Sequence, residues 1–353
     1  MAVHTRSGIP RLLPAMLALG PLVVVLDVLG AAGKLAIFVL AAAALVPLAW
    51  LIGEATENAA YYTGPGIGGL LNATFGNAPE LIIALVAVSD GLTDVVRASL
   101  VGSIVGNLLL VLGFAMVIGQ RGEIDRRSAA TSLALVGLAT LLLFVTSVPG
   151  FHGDPDRRSL ALLSLPVAAG LLIVRVPVIR STLRRERALH AEAGPSGEAG
   201  WPLRAAFAVL ALATVVTALV TNALVGSLES FARQADLSEF FVAIVIVAIV
   251  GNAAEHGSAV LLARRGEIRL ATEIALASSA QVASLVIPLV ALCSWAINPL
   301  ALSFRPVELG ALVVATALAS LVLRGGRTTR LGGAILLCTY AFLVVAFWFA
   351  GNR

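Results

Sequence analysis

The chain has 353 residues, 59% of them hydrophobic and 12% charged, with a mean hydropathy of +0.98 and a formal charge of +4. That leaves too little polar surface for a soluble globule, and arginines set between long apolar runs orient a membrane protein; they do not bind nucleic acid. Cys293 and Cys338 lie inside apolar runs, without disulfide or metal-ligand spacing.

Apolar runs of spanning length fall at about 12–30, 34–53, 65–89, 95–119, 128–149, 159–179, 204–226, 239–263, 269–293, 300–322 and 331–350. Arg6 and Arg11 precede the first, which lacks a small-residue cleavage site and is read as a retained helix. The one long polar stretch, 180–203, contains Arg184, Arg185, Glu186, Arg187 and Gly194-Pro195-Ser196-Gly197 and has the composition of a loop. Shifting the numbering by 175 places Gly76, Asn77, Ala78, Glu80, Ala84, Gly91 and Ser103 on Gly251, Asn252, Ala253, Glu255, Ala259, Gly266 and Ser278. The expected fold is therefore an all-α membrane protein of eleven transmembrane helices, one extra N-terminal helix followed by two five-helix repeats. Five is odd, so the second repeat is inverted, and inverted repeats place a substrate near the midplane at their interface. The segments are 1–33 for the extra helix, 34–180 for the first repeat, 181–203 for a cytoplasmic linker and 204–353 for the second repeat.

Loop charge gives the orientation. The N-terminus and every second loop after it hold 17 of the 24 Lys and Arg residues, so that side is expected in the cytoplasm. The chain is then a multi-pass plasma (inner) membrane protein with its N-terminus cytoplasmic and its C-terminus external.

The chemistry resides in Gly76-Asn77-Ala78-Pro79-Glu80 and Gly251-Asn252-Ala253-Ala254-Glu255. A carboxylate at the centre of a spanning helix costs roughly 3 kcal/mol on insertion scales, so two in matching places call for a function. Each Asn lies three residues before its Glu and shares its helical face, and oxygen ligands suit a hard cation. Glu80 and Glu255 are the candidate ligands for a cation or for protons, with Asn77, Asn252, Ser103, Ser278 and the Phe75 carbonyl in support. Pro79 cannot donate to that carbonyl. Asn107 and Gln281 are placed to orient the glutamates, and His256 adjoins Glu255 as a helix-interface histidine or a proton relay.

Other features read more simply. Glu54 and Glu229 coincide under the shift, at helix ends, as vestibule acids or as simply exposed ones. Asp27 and Glu308 have no counterpart and are taken as unrelated to a pore; Asp154, Asp156, Arg157 and Arg158 form a solvated turn. Gly64-Pro65-Gly66 implies helix unwinding or close packing, and Gly102 with Gly106 lets the fourth helix approach the third.

Glu54-Ala55-Thr56-Glu57, the two Gly-Asn-Ala-x-Glu motifs, Gly102-Ser103-Ile104-Val105-Gly106-Asn107 and Glu255-His256 together resemble the cation/proton exchangers, the calcium/proton antiporter branch of the calcium:cation antiporter superfamily. Gly106, Ala277 and Ala280 depart from that pattern, where serine, glycine and threonine are usual. The resemblance implies a secondary antiporter that exchanges cytoplasmic Ca2+ for external H+ by alternating access, with Glu80 and Glu255 as shared ligands. It implies no cofactor; Ca2+, H+ and the lipid bilayer are the partners, and homo-oligomerisation stays open. The alternative is a Na+- or K+-coupled exchanger of the same fold. An intramembrane enzyme fits less well, since no His-Glu-x-x-His or paired aspartate motif is present.

Overall fold

The computed structural model describes residues 16–119, 121–193 and 200–351. The start of the first apolar run, Arg6, Arg11 and the Gly194-Pro195-Ser196-Gly197 stretch lie outside them.

The described chain is helical from end to end. In order run α1 Leu19–Val28, α2 Lys34–Phe75, α3 Ala78–Ser89, α4 Thr93–Ile118, α5 Arg126–Gly150, α6 Arg158–Ala193 and α7 Leu203–Gln234. There follow α8 Glu239–Gly251, α9 Ala253–Arg264, α10 Ile268–Ala296, α11 Pro306–Leu323 and α12 Arg330–Gly351. Eight described helices are long and apolar enough to cross a membrane, nine when the bent pair α8 and α9 counts as one; α1 and α3 are shorter apolar helices.

Local sequence explains the breaks. Asn77 (φ −111°, ψ 21°) and Asn252 (φ −96°, ψ 9°) both leave the helical region, ending α2 at Phe75 and bending α8 from α9 by 59°. Only the first break carries a proline, and Pro79 stands in the opening turn of α3, where no amide hydrogen is required. The shared Gly-Asn pair is thus the common element. The two motif helices also end alike. Gly91 (φ +75°) and Gly266 (φ +82°) adopt the left-handed conformation, and Leu92 and Glu267 amides reach back to the Ala87 and Leu262 carbonyls at 2.9 Å each.

α2 is not straight. Gly68 lies against the Ala60 backbone, which eight residues of straight helix would hold ~12 Å away, so the rod doubles back between these two residues. α2 and α7 lie antiparallel, with Phe38 stacked on Phe231 at one end (4.0 Å) and the Trp201 amide bonded to Asn58 at the other (3.1 Å).

Two expectations fail. The stretch after 179 is helical as far as Ala193, so its charge marks a helix extension rather than a loop. The tenth apolar run, expected over 300–322, turns helical only at Pro306, where α11 begins. Pro299 and Pro306 bracket a non-helical segment, Leu300–Phe304, that is largely buried. Its backbone is satisfied by hydroxyls of α5 and α6: the Leu302 amide bonds Ser164 (2.8 Å), the Phe304 amide bonds Ser147 (2.9 Å), and Thr146 donates to the Leu302 carbonyl.

Candidate cation site

Glu80 and Glu255 each occupy the first turn of a helix that starts at a break. There the helix dipole favours negative charge, which lowers the cost of a carboxylate in an apolar interior.

The carboxyl groups of the two helices are close enough to interact electrostatically. Glu80 packs toward the other half, its Cγ 3.7 Å from where a Cβ on Gly251 would lie. A cavity of about 10 Å³ opens beside it, bounded by Ser99, Ser103, Val247, Ala248 and Gly251. This is about the room one water molecule needs. Glu80 Oε2 and Glu255 Oε2 are both enclosed and have no hydrogen-bond partner, and neither has Asn107 Oδ1. Buried acceptors are almost always satisfied, so oxygens left unpartnered on these acids suit a positively charged ligand.

Amides and hydroxyls knit the halves together around these acids. Asn252 Nδ2 donates to Ser103 Oγ (2.8 Å) and to the Ala248 carbonyl (2.9 Å). Asn107 Nδ2 donates to Asn252 Oδ1 (3.1 Å) and Ser278 Oγ (2.9 Å). Asn77 Nδ2 donates to Gln281 Oε1 at 2.6 Å. Asn107 and Gln281 therefore each hold the asparagine of the opposite half, a correction to the expectation that they orient the glutamates directly. Both sit where α4 and α10 pass into π turns, Gly106–Val111 and Val282–Val286, irregularities that recur at functional sites.

The remaining candidates separate. His256 is half-buried and its Nε2 has no partner. Phe75 is the last residue of α2. Glu54 lies within α2 and not at a helix end, and Glu229 pairs with Arg233 near the end of α7 (3.5 Å). Since α2 and α7 are antiparallel, these two acids lie toward opposite ends of the pair. Gly102 approaches α8 and not the third helix: a Cβ there would stand 2.7 Å from that of Ala248, and Gly106 has open space around it.

Sequence reasoning missed a buried ionic cluster at one end of α4. Arg97 is 1% exposed and binds Asp156 and Asp94 at 2.6 Å each, with the Ala301 carbonyl at 3.2 Å. Arg305 joins through Asp94 (2.7 Å) and lies over the Phe240 ring at 4.5 Å, and the buried Glu308 accepts from the Arg305 amide. Asp156, though partly exposed, is thus a counter-ion of Arg97, and the buried Glu308 is a structural anchor and not an idle group. The signal was Arg97 itself, an arginine inside an apolar run that must find counter-ions. Ser99 was missed too, although Ser99, Ser103 and Asn107 share one helical face.

A helical membrane protein with paired broken helices and facing acids defines a class of ion transporter. The family model described as sodium/calcium exchanger protein matches residues 33–174 and again 205–349, and the chain belongs to that family. It is accordingly a transporter and not an enzyme. It is 35% identical to a Ca2+/H+ antiporter of Synechocystis sp., over 90% of this chain and 92% of that one. It is also 35% identical to the Ca2+/H+ antiporter ChaA of Bacillus subtilis, over 86% of this chain and 89% of that one. Among solved structures, native YfkE superposes with a TM-score of 0.81 at 32% identity, covering 96% of this chain and 99% of that one.

Proposed function

We propose that this protein is a secondary antiporter that exchanges cytoplasmic Ca2+ for external H+, with Glu80 and Glu255 binding either the cation or protons. The observation that carries the reading is the pair of enclosed, unpartnered carboxylate oxygens in the first turns of two facing half-helices. The relatives named Ca2+/H+ antiporters support the choice of ions.

Two ionised glutamates offer up to four oxygens and the charge to offset a calcium ion, with Asn77, Asn252, Ser103, Ser278, the Phe75 carbonyl and water completing the shell. In the cation's absence, protons neutralise the same oxygens. One pair of acids thus serves both ions by competition, and exchange is obligatory if the empty, doubly ionised site does not cross between states. The proposed topology has eleven crossings in two inverted repeats, N-terminus cytoplasmic and C-terminus external, in the inner membrane. In that frame α8 lies against α4 on the external half, while the stretch 253–258 is half-buried to exposed on the cytoplasmic half. Those two features support an inward-facing state of an alternating-access cycle.

Proteoliposomes with a calcium gradient and an internal pH dye test this directly. Calcium entry should drive proton exit with neither sodium nor potassium present. A requirement for either ion would favour the Na+- or K+-coupled alternative, and calcium movement without proton countermovement would refute the proposal. Calcium binding to the purified protein should release protons and weaken as pH falls, because protonation removes the ligand charge.

A further inference from the structure

We propose that the groove between α5 and α11 is a binding site for one anionic phospholipid. Its phosphate would be held by Arg126 and Arg324, with an acyl chain lying over Ala130, Leu133 and Ala134. The groove has a volume of about 440 Å³ and shares no residue with the cation site. Its shape follows from the sequence. The helices touch where Gly137 faces Thr316, a Cβ at Gly137 falling 3.9 Å from the Thr316 methyl. From there toward Arg126, small residues, Ala130 and Ala134 facing Ser320, leave the space unfilled.

The mouth is built for an anion. Arg126 Nη2 donates to the Gly325 carbonyl at 2.6 Å, and its guanidinium lies over Gly326 (φ +68°), where a side chain would overlap it. That guanidinium is held in place with donors to spare, and Arg324 stands at the end of α11 beside it. No carboxylate lines the groove. The acids of the adjoining loops are engaged elsewhere, Glu123 with Arg327 and Asp125 with Arg269, at 3.2 Å each. Loops 121–127 and 324–330 together carry six arginines (Arg121, Arg126, Arg127, Arg324, Arg327, Arg330) against those two acids, a net charge of +4.

Beyond the mouth the walls become apolar and open outward. Leu138 and Leu141 continue the Ala130 and Ala134 face of α5, and Val313 continues that of α11, at 37%, 67% and 45% exposure. A charged rim leading into an apolar, lipid-facing trough matches a molecule with an anionic head and a hydrocarbon tail. A free phosphate would leave the trough uncovered. A second copy docked symmetrically would bring two arginine rims together.

Native mass spectrometry of the full-length protein, released from nanodiscs of phosphatidylglycerol and phosphatidylcholine in equal parts, tests this. One phosphatidylglycerol should be retained in preference to phosphatidylcholine. R126A/R324A should lower retention roughly 25-fold, about fivefold per arginine. R264A/R265A, which removes equal charge from the α9–α10 turn, should change it little, and R126K/R324K should keep most of it. Equal loss in R264A/R265A, equal retention of phosphatidylcholine, or a wild-type dimer that R126A/R324A dissociates would each overturn the proposal. Should R126A/R324A fail to fold, Ala134→Trp fills the trough and keeps both arginines. Undiminished lipid in that variant would also overturn it.

Discussion

In α3 the residues Ala78 to Glu80 are buried, whereas in α9 the matching Ala253 to Glu255 are half-buried, followed by exposed Gly257 and Ser258 where Ile83 on the α3 side is buried. The difference continues in their neighbours. α4 lies against the π turn of α8 through Gly102, whereas Ala277, at the matching place of α10, is half-buried. Matching sequences in two packings show that the motif alone does not set access to its acid. In the first half Gly102 lets α4 lie close against α8, and the matching place in the second half is Ala277.

The comparison can be broken most severely at the acids. Glu80→Gln and Glu255→Gln should each abolish exchange in proteoliposomes, despite their unequal burial. Robust exchange by either variant would mean that one half suffices. Next comes the anchor that only the first half possesses. The shift pairs Arg97 with Thr272, and Arg97→Thr leaves Asp156 and Asp94 without their buried partner. Both carboxylates are partly exposed and Asp94 keeps Arg305, so a loss of about 1–3 kcal/mol is expected in detergent unfolding. Gly102→Leu should cost about 1–3 kcal/mol and reduce exchange at least tenfold, because the side chain must displace α8. Ala277→Leu, at the matching but half-buried place, should cost under about 1 kcal/mol. Equal costs would deny the packing asymmetry. The smallest effect is expected of Ala254→Pro, which gives the second half the first half's proline. In the opening turn of α9 it should shift stability by less than about 0.5 kcal/mol.

Much of this was legible because it is local. The Gly-Asn-Ala-x-Glu motifs and the glycines at Gly91 and Gly266 recur under one shift, but the apolar runs 65–89 and 239–263 read as unbroken helices with mid-helix acids, and the breaks at Asn77 and Asn252 that put each acid in a first turn were not foreseen. What else was not legible depends on distant partners. Nothing near Asn107 or Gln281 says that each reaches an asparagine of the other half. Gly102 reads equally well as a contact with any helix, and it meets α8. Arg97 announced a need for counter-ions, but Asp156 lies 59 residues away in a turn that reads as ordinary solvated loop. Hydropathy also misled at Leu300–Phe304, since a buried non-helical segment is as apolar as a helix when hydroxyls from elsewhere satisfy its backbone.

That segment carries a mechanical consequence. Ser147, Ser164 and Arg97 come from the first half of the chain, and all grip Leu300–Phe304 in the second. α4, α5, α6 and the leading end of α11 are clamped into one stator. In the alternating-access cycle proposed above, this clamp would leave α2 and α7, which meet at the Phe38–Phe231 ring stack, as the elements that move against the stator.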